Sequence, residues 1–144
     1  MRTVRDVLRV KGSSVCSVKP EDTVYHALEV MAEKNIGAVI VKEAERVVGI
    51  FSERDYARQV VLKGKTSRDT LLRDVMTTRV VFIRTDQSIE ECMELMTDKH
   101  IRHLPVIDES KLAGILSIGD VVKAMISEME FLISQLEGYI TRGG

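Results

Sequence analysis

The chain has 144 residues, 44% of them hydrophobic and 30% charged, with a formal net charge of −1. That composition belongs to a globular protein, and the balanced charge lacks the basic field that nucleic acid requires. The length allows one compact domain with a real core, while no apolar run approaches the ~20 residues of a membrane span.

The first residues, Met1 to Val7, contain no apolar stretch long enough for a signal peptide, so a soluble cytoplasmic protein is expected. Val15-Cys16-Ser17-Val18 is a short extended run ended by Pro20. Asp22 and Thr23 are suited to cap a helix in which Val24, Ala27, Leu28 and Met31 form one apolar stripe. Asn35 and Gly37 end that helix. Ala38-Val39-Ile40-Val41 is apolar throughout and too short for a helix, which makes it a buried strand. A polar turn at Glu43 to Arg46 leads to a partner strand, Val47 to Phe51, and Ser52 opens a helix through Tyr56, Val60 and Val61.

Lys63 to Asp69 is polar and reads as a linker. Its Gly64-Lys65-Thr66 echoes a phosphate-binding loop, but the first glycine of that motif would fall at Gln59, which excludes it. Val80-Val81-Phe82-Ile83 is then a strand, and Ile89, Met93 and Met96 stripe a helix. Leu104 to Ile107 and Leu112 to Leu116 form a strand pair. A long helix starts at Ser117 and carries Val121, Val122, Met125, Met129, Leu132, Ile133 and Leu136 toward Tyr139.

The second series repeats the first. Gly49-Ile50-Phe51-Ser52-Glu53-Arg54-Asp55 returns 65 residues later as Gly114-Ile115-Leu116-Ser117-Ile118-Gly119-Asp120. At the same offset Glu29 meets Glu94, Met31 meets Met96, Ile36 meets Ile101 and Val41 meets Val106. A repeat this short rarely buries its own apolar face, so two copies should share one core with pseudo-two-fold symmetry.

Ser-x-x-Asp ahead of an apolar-periodic helix suits a capping box, in which Ser caps and the acid reaches back. The same geometry suits a nucleotide. A helix N-terminus attracts phosphate, a Ser adds a donor, and an Asp one turn on can accept ribose hydroxyls. Recurrence in both copies, and a preceding Gly that permits close approach, favour the second use. Cys16 and Cys92 lie in apolar contexts without CxxC spacing and read as buried free thiols, and no His, Cys, Asp or Glu set has metal-ligand spacing. His26 and His100 read as surface residues.

These units, ending Gly-Ile-x-Ser-x-x-Asp, with Ile101-Arg102-His103-Leu104-Pro105-Val106-Ile107-Asp108 in the second copy, resemble a pair of cystathionine-β-synthase (CBS) domains. Asp74-Val75-Met76-Thr77 matches the opening of such a domain, and Asp6-Val7-Leu8 is its weaker counterpart. The resemblance implies an α/β (α+β) fold of two β-α-β-β-α repeats packed through their sheets, a Bateman module. It divides the chain into a first repeat at 1–62, a linker at 63–71, a second repeat at 72–126 and a C-terminal helix and tail at 127–144.

The resemblance also implies two clefts between the copies that take an adenosine compound: AMP first, with ADP, ATP, NAD(H) or S-adenosylmethionine as others. Carried over, one cleft combines Ser52, Arg54 and Asp55 with Thr85, Ile101, Arg102, His103 and Leu104. The other combines Ser117 and Asp120 with Pro20, Ile36, Gly37 and Ala38, plus Asp22 and Ala27. Gly119 stands where the first has Arg54, so cationic donors gather only around Asp55, which should hold the phosphate more tightly. The implied function is a non-catalytic energy or redox sensor, a homodimer acting on an effector protein that the sequence does not name. Met125, Met129, Phe131 and Leu132 are candidates for the dimer face. An assembly module with vestigial clefts is the alternative, and an enzyme is disfavoured because no nucleophile-base pair is evident.

Overall fold

A computed structural model describes residues 2–143, with side chains through residue 140. The final residue of the expected tail, Gly144, lies outside the described residues. The architecture is mixed α/β with two three-stranded sheets. In chain order the elements are α1 (Val4–Lys11), β1 (Ser17–Val18), α2 (Val24–Lys34), β2 (Ala38–Glu43), β3 (Arg46–Ser52) and α3 (Glu53–Asp55), which continues as a π-helix, Tyr56–Val61. A 3-10 turn at Leu72–Asp74 is followed by β4 (Ile83–Arg84), α4 (Ile89–Lys99), β5 (His103–Asp108), β6 (Lys111–Ser117) and α5 (Ile118–Gly143).

The duplication reaches hydrogen-bond register. Each sheet joins a parallel pair to an antiparallel one, in the orders β1-β2-β3 and β4-β5-β6. Ala38 opposes Ser52 in one hairpin and His103 opposes Ser117 in the other. Both hairpins shift register at equivalent places, between Val41 and Lys42 and between Val106 and Ile107. The substitution of Ile40 by Pro105 leaves this register unchanged, but it removes an N–H. Ile40 N–H reaches the Cys16 carbonyl at 3.4 Å, whereas Pro105 has no N–H to extend the ladder upstream of Ile83. The strand expected from Val80 begins only at Ile83, one position later than its counterpart at Ser17, and the lost N–H accounts for that one position.

Two compact units result. One is Ser14–Val81; the other combines the segments on either side, up to Ser13 and from Phe82 onward. Leu72 and Val75, which open the second repeat in sequence, lie in the core of the Ser14–Val81 unit with Val18, Val24, Val39, Val41 and Phe51. The carbonyls of Asp22 and Pro20 accept from Leu72 and Arg73 N–H at 2.9 and 3.0 Å. The expected linker is itself bonded in this unit. Thr70 and Ser67 carbonyls accept from Val24 and Tyr25 N–H, satisfying donors that the first turn of α2 leaves open. Arg68 lies over the Tyr25 ring at 4.0 Å.

Helix α1 lies where no helix was expected. It has a full capping box, with Thr3 hydroxyl accepting from Asp6 N–H and the Asp6 carboxylate accepting from Thr3 N–H. The Thr3 N–H helps hold the Asp6 carboxyl below its usual range. Val4, Val7 and Leu8 are buried, and Val4 and Arg5 N–H donate to the carbonyls of Gln87 and Thr85, both at 2.9 Å. In α4 the buried stripe runs through Ile89, Cys92 and Met96, so Cys92 takes the place expected of Met93, which is half-buried.

Candidate functional site

The two Ser-x-x-Asp turns sit where the third strand of each sheet passes into a helix. Both are capping boxes. Asp55 Oδ2 accepts from Ser52 N–H at 3.0 Å and Ser52 Oγ at 3.1 Å, while Asp55 N–H donates back to Ser52 Oγ at 3.2 Å. Asp120 Oδ2 accepts from Ser117 N–H at 2.8 Å and Ser117 Oγ at 3.0 Å, and Asp120 N–H returns a bond to Ser117 Oγ at 3.2 Å. Capping thus engages Oδ2 of each carboxylate, and each carboxylate has one further partner.

At Asp55 that partner is Thr77, whose hydroxyl donates to Asp55 Oδ1 at 3.0 Å. Thr77 is fixed there by a two-way backbone pairing with Ile50, each N–H donating to the other's carbonyl at 2.9 Å. Asp120 has a different third partner. Lys11, at the end of α1, donates to Asp120 Oδ2 at 2.6 Å and also to the Ile115 carbonyl. Burial pushes the Asp120 carboxyl up, but the hydrogen bonds from Lys11 and Ser117 and the Lys11 charge outweigh it, and the group stays below its usual range. Lys11 thus places a cation at the Asp120 turn, where cationic donors were expected only around Asp55.

The glycine of each motif also acquires a definite neighbour. A Cβ at Gly49 would lie 2.7 Å from Met76 Sδ and 2.9 Å from the Thr77 carbonyl oxygen. One at Gly114 would lie 2.8 Å from Leu8 Cδ2. The close approach that the sequence suggested for a ligand is made in both units by the chain itself.

The remaining candidates fall into place around these turns. In the Ser14–Val81 unit, Gly37 carbonyl accepts from Glu53 N–H at 3.1 Å, Ala38 is buried opposite Ser52, and Ile36 N–H bonds back to Met31. Arg54 is exposed on α3. Pro20 is buried, Asp22 accepts from Lys19 N–H at 2.8 Å, and Ala27 is buried in the core. A groove of about 530 Å³ in this unit is lined by Lys19, Asp22, His26 and Lys42, among others, with Ser52 and Asp55 outside its lining.

In the other unit, Arg102 carbonyl accepts from Ile118 N–H at 2.8 Å and His103 opposes Ser117, which puts this basic pair's backbone against the Asp120 turn. Ile101 N–H bonds to Met96, and Leu104 is fully buried opposite Leu116. Thr85 is buried, and its hydroxyl accepts from the Arg5 guanidinium at 3.0 Å. Lys11, Arg5 and Thr77 are the residues that the sequence reading missed. Among the described residues no group of three His, Cys, Asp or Glu could hold a metal ion, and no helix is long and apolar enough to cross a membrane.

Comparison with known proteins agrees with this architecture. The CBS domain family matches residues 4–62 and 72–127. The CBS domain-containing protein CBSX3, mitochondrial, of Arabidopsis thaliana is 36% identical over 98% of this chain and 73% of its own length. A putative signal-transduction protein with CBS domains from Burkholderia ambifaria superposes with a TM-score of 0.85 at 44% identity, covering 88% of this chain and 95% of that one. The CBS domain pair of protein MJ0100, in complex with 5′-methylthioadenosine and S-adenosyl-L-methionine, shares the fold at 19% identity, with a TM-score of 0.78 over 89% of this chain and 98% of that one. The chain is a member of the CBS-domain family and carries two CBS domains in tandem.

Proposed function

We propose that the chain is a non-catalytic regulatory module that binds an adenosine nucleotide at its Ser-x-x-Asp turns, AMP foremost, with ADP, ATP and NAD(H) as further ligands. The observation that carries this reading is the duplicated turn itself. Each presents a capped carboxylate at a strand end with backbone from the neighbouring loop beside it, Gly37 in one unit and Arg102 in the other. A carboxylate so fixed is a preorganised acceptor for ribose hydroxyls. The adenosine compounds bound by MJ0100 support the same ligand class. Ser52, Arg54, Asp55, Thr85, Ile101 to Leu104, Pro20, Ile36 to Ala38, Ser117 and Asp120 are the proposed contact set.

Mass spectrometry of small molecules released on denaturation, followed by thermal shift with AMP, ADP, ATP and NAD(H), tests the reading. A co-purified or stabilising adenosine compound supports it, and Asp55→Asn and Asp120→Asn should each weaken the shift. A folded chain that releases none and responds to none of the four removes it.

A second function, assembly, has its own observation. On α5, Val122, Ile126, Met129, Ile133, Leu136 and Ile140 alternate four and three residues apart, and each is at least 40% exposed. That is the spacing of a helix seam, and Val121 and Ala124 on the opposite side are buried. We propose that α5 pairs with α5 of a second copy, giving a homodimer whose arrangement the nucleotide biases for an effector protein to read. Met129 of the expected dimer face lies on this seam, with Leu132 and the half-buried Met125 beside it, whereas Phe131 falls on the other side of the helix.

A further inference from the structure

Thr77 and Lys11 satisfy matched groups in different ways, Thr77 reaching Oδ1 of Asp55 and Lys11 reaching Oδ2 of Asp120. In the Ser14–Val81 unit, Thr77 uses its N–H for the Ile50 carbonyl and its hydroxyl for Asp55. In the other unit, the equivalent carbonyl, Ile115, and the equivalent carboxylate, Asp120, both accept from one ammonium, Lys11 Nζ. The bonds are alike and the charge is not. Ser52-Glu53-Arg54-Asp55 holds two carboxylates and one guanidinium, a net −1, and Thr77 adds nothing. Ser117-Ile118-Gly119-Asp120 holds one carboxylate, which Lys11 neutralises, and the backbone of Arg102 adjoins the turn.

The ammonium is also accessible to a ligand. An ammonium has three protons, and the two bonds above use two of them. The Lys11 side chain is 32% exposed, so the remaining proton is within reach of solvent. On the carboxylate, Oδ2 already accepts from Ser117 N–H, Ser117 Oγ and Lys11, so further hydroxyls are left to Oδ1 of a group whose charge Lys11 offsets.

We propose that Lys11 sets the charge selectivity of the Asp120 turn, disfavouring neutral nucleosides and favouring ligands that bring an anionic oxygen. This rests on the nucleotide-binding reading above and deepens it. Lys11 weakens Asp120 as a ribose acceptor and offers a charge-assisted donor to a phosphate in exchange. The Asp55 turn, satisfied by a neutral hydroxyl, lacks this device.

A site-resolved titration tests it. Backbone amide NMR shifts of Gly119 report on the Asp120 turn and those of Glu53 on the Asp55 turn, with adenosine and AMP as the two probes. In the wild-type chain and in Lys11→Arg, AMP should bind about tenfold or more tighter than adenosine at Gly119. Lys11→Met, with Lys11→Gln as a second neutral variant, should lower that ratio to about threefold or less while leaving the ratio at Glu53 unchanged. A ratio at Gly119 that neither neutral variant changes overturns the role of Lys11 and leaves nucleotide binding standing. So does a Glu53 response without any Gly119 response in wild type and variants. If neither probe shifts either amide in any of these proteins, the nucleotide reading itself is lost.

Discussion

Lys11 and Thr77 do the same structural work from different backbones: each joins the carbonyl two residues before its motif serine to the motif aspartate. Thr77 does so as extended chain paired with Ile50, Lys11 from the last turn of an eight-residue helix. A short hydroxyl on a fixed backbone and a long ammonium on a flexible stem differ in charge and in reach.

That difference predicts a pH dependence. Burial raises the Asp120 carboxyl and the bonds and charge of Lys11 and Ser117 lower it further, so its folded value lies below 3.8. A depressed folded value contributes stability that is whole above 3.8 and is lost as pH falls through the folded value. Both side chains are partly exposed, so the ion pair is worth about 1 kcal/mol or less. In urea unfolding, wild type should exceed Lys11→Met by that amount near neutrality, the gap closing on acidification. A gap that grows as the pH drops would contradict the assignment.

The two motif glycines should respond unequally to alanine. At Gly49 the new methyl meets the Thr77 carbonyl oxygen, backbone held by its pairing with Ile50, as well as Met76. At Gly114 it meets the end of the Leu8 side chain, which can turn aside. Gly49→Ala should cost about 2–3 kcal/mol and Gly114→Ala about 1 kcal/mol, read from denaturant midpoints. Equal costs would show that the Thr77 segment yields as readily as Leu8.

The thiols should separate by reactivity. Burial pushes the Cys92 thiol up to about 11, whereas Cys16 is half-buried. At neutral pH Cys92 is thiolate in roughly one molecule in ten thousand, and its reaction with Ellman's reagent should wait for unfolding. Cys16 should react first in the native chain. Two thiols titrating together without denaturant would refute this.

The α5 seam should govern association. Ile133 is 52% exposed, so Ile133→Glu leaves the described core intact while placing a charge in the middle of the seam. Sedimentation velocity should show a dimer for the wild-type chain and a monomer for the variant, with the melting transition of the units retained. A variant that sediments as wild type does would move the interface elsewhere.

The repeat made most of the fold legible, because an offset of 65 residues aligned strands, helix stripes and both capping turns through Asp120. It failed where the repeats diverge. Val4-Arg5-Asp6-Val7 aligns with Leu72-Arg73-Asp74-Val75 at 68 residues, not 65, so Lys11 has no counterpart that a fixed offset would find. The helix α1 keeps winding through Arg9 where the other copy turns extended at Thr77, and only that extra turn delivers Lys11 to Asp120. The Ser-x-x-Asp motif was legible as a cap, but its third partner was not, since it comes from a segment remote in sequence. Cys92 replaced Met93 in the α4 stripe because both lie on the apolar side and only packing distinguishes them.

Each compact unit is woven from residues on both sides of Lys63 to Lys65. Ser14 to Leu62 and Leu72 to Val81 share one core, while α1 and everything after Phe82 share the other unit. A protease that nicks the exposed lysines there would produce two polypeptides and no free half-molecule. Trypsin should give two bands under denaturing conditions and a single undiminished particle in gel filtration. The linker is therefore dispensable as a covalent tether, because the halves are bound as a garment is by crossed laces.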